Sequence, residues 1–401
     1  QGDGLRRILI LSASAGTGHI RAGEALEKVC RATPGVGETI HFDALTFTNQ
    51  LFRDFYSKFY IRLVLDAPTL LGWWYEKSDE PWLTDRMRLM FDRMNTLPLV
   101  RMIGRLKPDI TICTHFLPAE IISWLMMQGR VSTKLSIVVT DVDFHAMWLS
   151  RSFHRYFVAI DETREHLRMM GLPPGRITVS GIPIDPAFTG PFDAAEFRAA
   201  HGIRPDLPLI LVSAGALGVG PAEHMARMLT MLRTPCQIVI ICGKREGLTE
   251  TVAGRLREAG IKPHQSFKTI GYTDEMYCWM RIADLFVGKP GGLTLAETCA
   301  CGLPFVVFSP IPGQEERNSD YLLEKGVAIR CNELTTMPYK LDSLLGDPAR
   351  LASMRLAALK LARPKAAHTI VRTLLQPEQD DSPVTVEEKE KEEMAKIARK
   401  R

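Results

Sequence analysis

The chain alternates short apolar segments with helical stretches, and it does so in two successive halves. The first apolar run, residues 8–11, breaks into a turn with two glycines, and a helical pattern follows through Ala22, Ala25, Leu26 and Val29. Further apolar segments at 39–42, 110–113, 135–139 and 155–160 are each predicted strands. Because strand, turn and helix in that order form a βα unit, the repetition predicts a parallel sheet covered on both faces.

The alternation stops where proline and glycine accumulate at residues 181–186, and it restarts near residue 209. The second half has predicted strands at 209–213, 237–242, 267–270, 285–287 and 305–308. A chain of 401 residues is long for one hydrophobic core, so two α/β domains are expected, 1–187 and 188–375. The tail 376–401 is rich in Glu and Lys and is expected to be disordered or a solvated helix.

Composition excludes several classes of protein. With 46% hydrophobic and 24% charged residues, the chain is of ordinary globular composition. Its apolar runs are far shorter than the roughly 20 residues of a spanning helix, so any membrane contact is expected to be peripheral. Basic and acidic residues are balanced throughout, which argues against nucleic-acid binding. The eight scattered cysteines lack C-x-x-C spacing and favour a reducing compartment.

The loop after the first predicted strand reads Gly16-Thr17-Gly18-His19. Glycines let a helix N-terminus approach an anionic or hydroxyl-bearing group closely, and a histidine can take a proton from a hydroxyl near neutral pH. The loop lacks the third glycine of a dinucleotide fingerprint and the Gly-Lys-Ser/Thr of a P-loop. The alternative is a tight turn with a solvent-facing histidine.

A second loop, residues 288–297, joins a predicted strand to a helix through Pro290, two glycines and Thr294. Free N–H groups and the dipole of such a helix N-terminus suit a diphosphate. Glu297, one turn along, could accept hydrogen bonds from ribose hydroxyls. The alternative is that Thr294 caps the helix and Glu297 is a charge of its first turn.

A third loop, residues 310–318, also follows a predicted buried strand. Its amide and carboxylate side chains could read the hydroxyls of a sugar, since each hydroxyl both donates and accepts. The alternative is a polar, exposed helix start.

Together these loops resemble glycosyltransferase family 28, and within it the monogalactosyldiacylglycerol synthases and processive diacylglycerol glucosyltransferases. Four stretches carry the resemblance in the family's order, 12–25, 139–148, 289–302 and 310–318. The resemblance implies an α/β GT-B fold, two Rossmann-like domains facing each other across a cleft. It also implies an inverting transfer of a hexosyl group from a UDP-sugar, held by the second domain, to a diacylglycerol-type lipid acceptor, held by the first.

The resemblance also implies roles for individual residues. His19 matches the family's general base, and Asp141 is expected either to support the acceptor end of the site or to cap its strand. Tyr272 falls beside the uracil, and Lys244 stands where the family often has asparagine. The implied donor contacts are Gly18, Ser213, Gly215, Gly243, Tyr272, Lys289, Gly291, Gly292, Thr294, Glu297, Gln314, Glu315 and Asn318.

No permanently bound cofactor and no metal are expected. The helix N-terminus at 291–294, with Lys289, can neutralise the leaving diphosphate. Asp141-Val142-Asp143 looks like the metal-binding D-x-D of the other glycosyltransferase fold, but it ends a predicted buried strand of the first domain. The expected ligands are a UDP-sugar as donor substrate and a lipid acceptor.

Aromatic and basic residues concentrate between residues 51 and 106, a pattern that suits a membrane headgroup interface and anionic lipids. The expected location is therefore cytoplasmic, peripherally associated with the inner face of the membrane. The alternative for this stretch is that half of its aromatic residues pack in the core.

Four other functions share parts of the pattern. A GT-B-fold UDP-sugar 2-epimerase and a peptidoglycan-lipid N-acetylglucosaminyl transferase would share the architecture. A dinucleotide-dependent oxidoreductase would hold a ribose with Asp43. A catalytically silent sugar-nucleotide sensor would keep the C-terminal loops and lose the base, so His19 argues against it.

Overall fold

A computed structural model describes residues 4–14, 16–47, 97–144, 146–214, 222–377 and 382–386. Two compact units contain them. The first comprises Gln1–Pro186, Pro312–Gln314 and Arg363–Arg401, and the second comprises Ala187–Ile311 and Glu315–Ala362.

The first unit is built on a six-stranded sheet in which every neighbouring pair is parallel. Its order is β2-β1-β3-β4-β6-β7. The strands are β1 Arg6–Ser12, β2 Val36–Asp43, β3 Ile110–Cys113, β4 Lys134–Val138, β6 Arg155–Val158 and β7 Ile177–Val179, and the short β5 is Ser152–Phe153. The α-helices of this part are α1 Thr17–Ala32, α2 Leu97–Leu106, α3 Phe116–Met127 and α4 Asp161–Met169. The central strands are mostly buried and rich in apolar residues because both faces of the sheet are covered.

The second unit repeats this construction with a parallel sheet of order β10-β9-β8-β11-β12-β13. Its strands are β8 Leu209–Ser213, β9 Cys236–Ile241, β10 Gln265–Ile270, β11 Leu285–Gly288, β12 Phe305–Phe308 and β13 Ala328–Cys331. Its α-helices are α5 Ala194–His201, α6 Ala222–Leu229, α7 Leu248–Ala259, α8 Met276–Ile282, α9 Gly292–Ala300, α10 Gln314–Glu324, α11 Met337–Leu345 and α12 Pro348–Leu361. The β8–β9–β10 and β11–β12 segments correspond to the strands that apolar runs predicted.

The chain after residue 362 returns to the first unit, which differs from the expected boundary at residue 375. Helix α13, Ala366–Leu375, buries Ala367, Ile370 and Val371 in one cluster with residues of β1 and α1. These three positions share one helical face, so the helix covers apolar surface of the first sheet.

Part of the predicted disordered tail is also ordered against the first unit. Strand β14, Val384–Thr385, pairs antiparallel with β5, and Val386 is buried. The alternation of apolar Val384 and Val386 around Thr385 suits an edge pairing. Residues 378–381 and 387–401 lie outside the described part of the chain.

The predicted membrane contact over 51–106 lies outside the described residues apart from α2. Among the helices that the structure describes, none has the length and apolar character needed to cross a bilayer.

Candidate active site

The glycine loop places His19 in the first turn of α1. The loop follows the carboxyl end of β1, and α1 begins at Thr17 with Gly16 at its N-cap. Among the described residues, no side chain caps this N-terminus and no acidic residue lies in its first turn. The first-turn N–H groups, which have no partner within the helix, therefore lie in the same turn as the His19 imidazole.

His19 is a half-buried residue held by oxygen atoms. Its Nδ1 lies 2.7 Å from Thr140 Oγ1 and 3.2 Å from the carbonyl oxygen of Thr114. Burial lowers the pKa of His19 from 6.5 to about 4, and the Thr114 carbonyl opposes this shift in part. His19 is therefore an uncharged imidazole at neutral pH, which is the form that accepts a proton.

A second histidine, which the sequence did not single out, packs against the first. The ring of His115 lies edge to face with His19, with centroids 4.6 Å apart. His115 caps α3, since its Nδ1 accepts a hydrogen bond from the Leu117 N–H at 3.0 Å. Burial, with the neighbouring His19, holds the pKa of His115 well below its usual value. A histidine directly after a predicted strand was the signal that could have identified it.

The Thr140-Asp141 segment follows β4 at the same edge of the sheet. Thr140 is the residue of this segment that contacts His19, whereas Asp141 is 5% exposed. Asp143 accepts the N–H of Phe144 at 2.9 Å. Within the described residues, no cluster of three or more His, Cys, Asp or Glu side chains could hold a metal ion.

Asp43 has a structural task in this unit. Its Oδ1 accepts the N–H of Ser14 at 3.2 Å and that of Leu45 at 3.0 Å. These bonds tie the end of β2 to the start of the glycine loop, which leaves the ribose role of the oxidoreductase alternative without support.

In the second unit, the predicted donor residues lie at the carboxyl ends of adjacent strands. Ser213 ends β8, Gly243 follows β9, Tyr272 follows β10 and Lys289 follows β11. Parallel strands end at one edge, which is where ligands bind in doubly wound sheets. Gly215 lies outside the described residues.

The N-terminus of α9 meets a pair of opposite charges. Burial lowers the pKa of Lys289 and raises that of Glu315, and each charge opposes the shift of the other. Glu315 Oε2 accepts the N–H of Ile311 at 2.6 Å. A Cβ at Gly291 would lie 3.9 Å from Glu315 Oε1 and from Thr294 Oγ1, which places the Glu315 carboxylate close to the start of α9. Within the described chain, no side chain caps α9 and no acidic residue lies in its first turn.

Two of the expected donor side chains, those of Asn318 and Glu297, are inside the unit. Asn318 is fully buried, and its Nδ2 donates to the Pro290 carbonyl oxygen at 3.0 Å. This bond holds the loop that precedes α9, so Nδ2 of the amide is used inside the unit. Glu297, only 2% exposed, and Gly292 are both buried. Gln314, at the start of α10, is half-buried.

Tyr272 is the exposed aromatic residue of this edge, with 47% of its surface accessible. The ammonium of Lys244 lies over its ring, 4.3 Å from the centroid. Gly243, the residue before Lys244, has φ +77°, a conformation that favours glycine. The residue that replaces the family's asparagine therefore packs on the residue expected beside the uracil.

Comparison with known proteins identifies related sequences in both units. Residues 19–184 match the family model for monogalactosyldiacylglycerol (MGDG) synthase, and residues 220–370 match the glycosyltransferase family 28 C-terminal domain. A processive diacylglycerol beta-glucosyltransferase of Bacillus mycoides is 29% identical over 377 residues, which cover 92% of this chain and 93% of that protein. The protein of that description from Staphylococcus haemolyticus is 28% identical over 352 residues, 84% of this chain and 87% of its own.

Solved structures extend the likeness to the whole architecture. MurG of Acinetobacter baumannii has a TM-score of 0.57 at 18% identity and covers 92% of this chain and 98% of its own. Anabaena HepE in complex with UDP and glucose has a TM-score of 0.53 at 14% identity, with 92% and 99% covered. A UDP-GlcNAc 2-epimerase from Neisseria meningitidis has a TM-score of 0.57 at 11% identity, with 92% and 100% covered. At these identities the likeness concerns the fold.

Proposed function

Because the chain belongs to glycosyltransferase family 28, joining a monogalactosyldiacylglycerol synthase domain to the family's C-terminal domain, we propose that it transfers a hexosyl group from a UDP-sugar to a diacylglycerol-type lipid. Its fold is GT-B, as the sequence predicted. We propose further that the transfer inverts the anomeric carbon and takes place at a membrane surface.

The observation that carries this proposal is the uncharged His19 at the uncapped start of α1. An inverting transfer needs a base for the proton of the acceptor hydroxyl as that oxygen attacks the anomeric carbon. A histidine whose pKa is about 4 is almost entirely in its neutral, proton-accepting form at neutral pH. Asp141, next to Thr140, supports the acceptor end of this unit electrostatically.

The second unit binds the donor. Breaking the bond between sugar and diphosphate leaves negative charge on the departing UDP, which must be stabilised. The free N–H groups of the first turn of α9, together with Lys289, supply that stabilisation. Gln314 and Glu315 read the sugar, and Tyr272 lies beside the base. The scheme needs no metal and no resident cofactor.

The acceptor determines where the reaction occurs. Diacylglycerol resides in a bilayer, so the enzyme works as a peripheral protein on the cytoplasmic face of the membrane, where anionic lipids attract basic residues. The names of the curated relatives in Bacillus and Staphylococcus support a diacylglycerol acceptor.

The test is UDP release on liposomes that carry diacylglycerol, with UDP-glucose, UDP-galactose, UDP-glucuronate and UDP-N-acetylglucosamine assayed in parallel. Wild type should release UDP with at least one donor only when the lipid is present, and His19→Gln should lower the rate by about 10²–10⁴-fold. His368→Gln, an exposed histidine on α13, is the matched control and should retain full activity. The anomeric configuration of the glycolipid, read by proton NMR, should be opposite to that of the donor.

Two results would overturn the proposal. One is UDP binding without lipid-dependent UDP release for any donor. The other is conversion of a UDP-sugar to its epimer in the absence of lipid, which would identify the epimerase alternative suggested by the shared fold.

A further inference from the structure

The imidazole of His19 is fixed through one nitrogen by two oxygen atoms. Nδ1 lies 2.7 Å from Thr140 Oγ1 and 3.2 Å from the Thr114 carbonyl oxygen. A carbonyl oxygen can only accept, so Nδ1 must carry the proton for this contact to be attractive. The Thr140 hydroxyl lies 3.4 Å from the same carbonyl and donates to it, and its oxygen then accepts from Nδ1. Every contact is attractive when His19 is the Nδ1–H tautomer.

A second set of hydrogen bonds reaches the backbone of the same residue. Thr114 Oγ1 donates to the backbone oxygen of His19 at 2.8 Å, which uses its single proton. It must therefore accept from Ser12 Oγ, 2.8 Å away. Ser12 Oγ in turn accepts from His41 Nε2, also at 2.8 Å. The donors thus follow one order, from His41 through Ser12 and Thr114 to His19.

The helix that carries His19 leaves space for this chain of hydrogen bonds. A Cβ at Gly23 would lie 2.5 Å from both Ser12 Oγ and His41 Nε2. Gly23 sits in the interior of α1, where alanine would be the more stable residue. Glycine at this position therefore accommodates the Ser12–His41 bond at the expense of local helix stability.

Serine, histidine and the nearby Glu27 resemble a nucleophilic triad, with His41 Nδ1 3.6 Å from Glu27 Oε2. Burial rules out that chemistry, because Ser12 is 0% exposed and its proton is directed to Thr114. Ser12 and His41 therefore have a structural role inside the unit.

We propose that Thr140, together with the Thr114 carbonyl oxygen, holds His19 as its Nδ1–H tautomer. The Ser12–His41 pair, acting through the Thr114 hydroxyl on the backbone oxygen of His19, is a positioning element for the residue as a whole. Nε2 is then the atom that accepts the proton of the acceptor hydroxyl. The effect on turnover rests on the proposed function of His19, whereas the tautomer can be measured without substrate.

The first test is ¹⁵N NMR of the histidine rings in the full chain, with His19 assigned by its loss in His19→Gln. At neutral pH wild type should show Nδ1 protonated and Nε2 bare. Thr140→Val removes the shorter of the two acceptors at Nδ1 and should raise the share of the Nε2–H tautomer, although the Thr114 carbonyl oxygen still favours Nδ1–H. Thr140→Ser should keep the wild-type signal. Thr111→Val is the matched control, since it removes a buried hydroxyl that bonds Thr133 at 2.9 Å on the same sheet.

The second test is turnover in the liposome assay. Thr140→Val and Ser12→Ala should each lower kcat about tenfold with the KM for the UDP-sugar changed less than about twofold, because alignment of the base acts on the chemical step. Thr140→Ser should recover most of kcat, and Thr111→Val should match wild type.

An Nε2–H tautomer in wild type would overturn the proposal. So would a Thr140→Val variant that keeps its melting temperature, tautomer and kcat, or a Thr111→Val variant that loses kcat as severely. If wild type transfers no sugar to lipid, the proposed function fails, and the tautomers of wild type and Thr140→Val still decide the positioning role.

Discussion

Acidification tests the environment of His19 directly. With a pKa of about 4, about nine-tenths of His19 remains neutral at pH 5, whereas a histidine with the ordinary value of 6.5 would be only about 3% neutral. The two cases differ about thirtyfold in active base. We therefore expect kcat/KM to fall by no more than about a tenth between pH 7 and pH 5, and by half near pH 4.

The direction of the pH dependence follows from which protonation state of His19 is active. The base is the neutral imidazole, so activity is present above the folded pKa and is lost as the pH falls through it. Stability has the same sign, because the unfolded chain takes up a proton below pH 6.5 while the folded chain resists it to about pH 4. The lowered pKa of His19 therefore reduces the free energy of unfolding at acid pH by up to about 3 kcal/mol relative to neutral pH. His115 and His41 also have lowered pKa values and act in the same direction.

The assay is the initial rate of UDP release at low acceptor concentration between pH 3.5 and 8. Vesicles of diacylglycerol in zwitterionic lipid keep the surface charge constant, and calorimetric titration with UDP at each pH corrects for donor binding. Circular dichroism identifies the range in which the protein is native. A kcat/KM that halves near pH 6.5, with fold and UDP binding unchanged, would refute the reasoning that burial suppresses protonation of His19.

Three substitutions test other parts of the molecule. Asn318→Ala leaves the buried Pro290 carbonyl without its donor, so the free energy of unfolding should fall by about 1–3 kcal/mol and UDP should bind more weakly, by denaturant melts and calorimetry. Lys244→Met removes the cation over the Tyr272 ring, worth about 0.5–1 kcal/mol, without installing the family's asparagine, and should raise the KM for the UDP-sugar about two- to fivefold in the release assay, with kcat unchanged. Ile370→Ala opens a cavity where α13 covers the first sheet and should lower the free energy of unfolding by about 2–5 kcal/mol in urea melts; a loss below 1 kcal/mol would contradict that packing.

Local pattern was sufficient for much of the fold. Strand and helix periods, with glycine turns between them, predicted both parallel sheets, and the loops after the strands predicted where His19 and Lys289 would lie. These predictions succeed because the period of apolar residues and the turn chemistry are properties of neighbouring residues.

The sequence did not predict that Asn318 and Glu297 lie in the interior. Both were expected to face the donor because they follow strand ends in sequence, yet Asn318 is fully buried and Glu297 is 2% exposed. Which side of a helix faces the sheet depends on the register of packing, so residue type and spacing do not decide it.

The sequence by itself determined the two α/β halves, the family and the histidine at the start of α1. Only the tertiary structure decided that α13 covers the first unit and that Thr140 and Thr114 contact His19. Those contacts join residues 121 and 95 positions apart in the chain. Such pairs are brought together by the order of strands in the sheet, a long-range outcome of burying apolar surface that no local pattern of residues encodes.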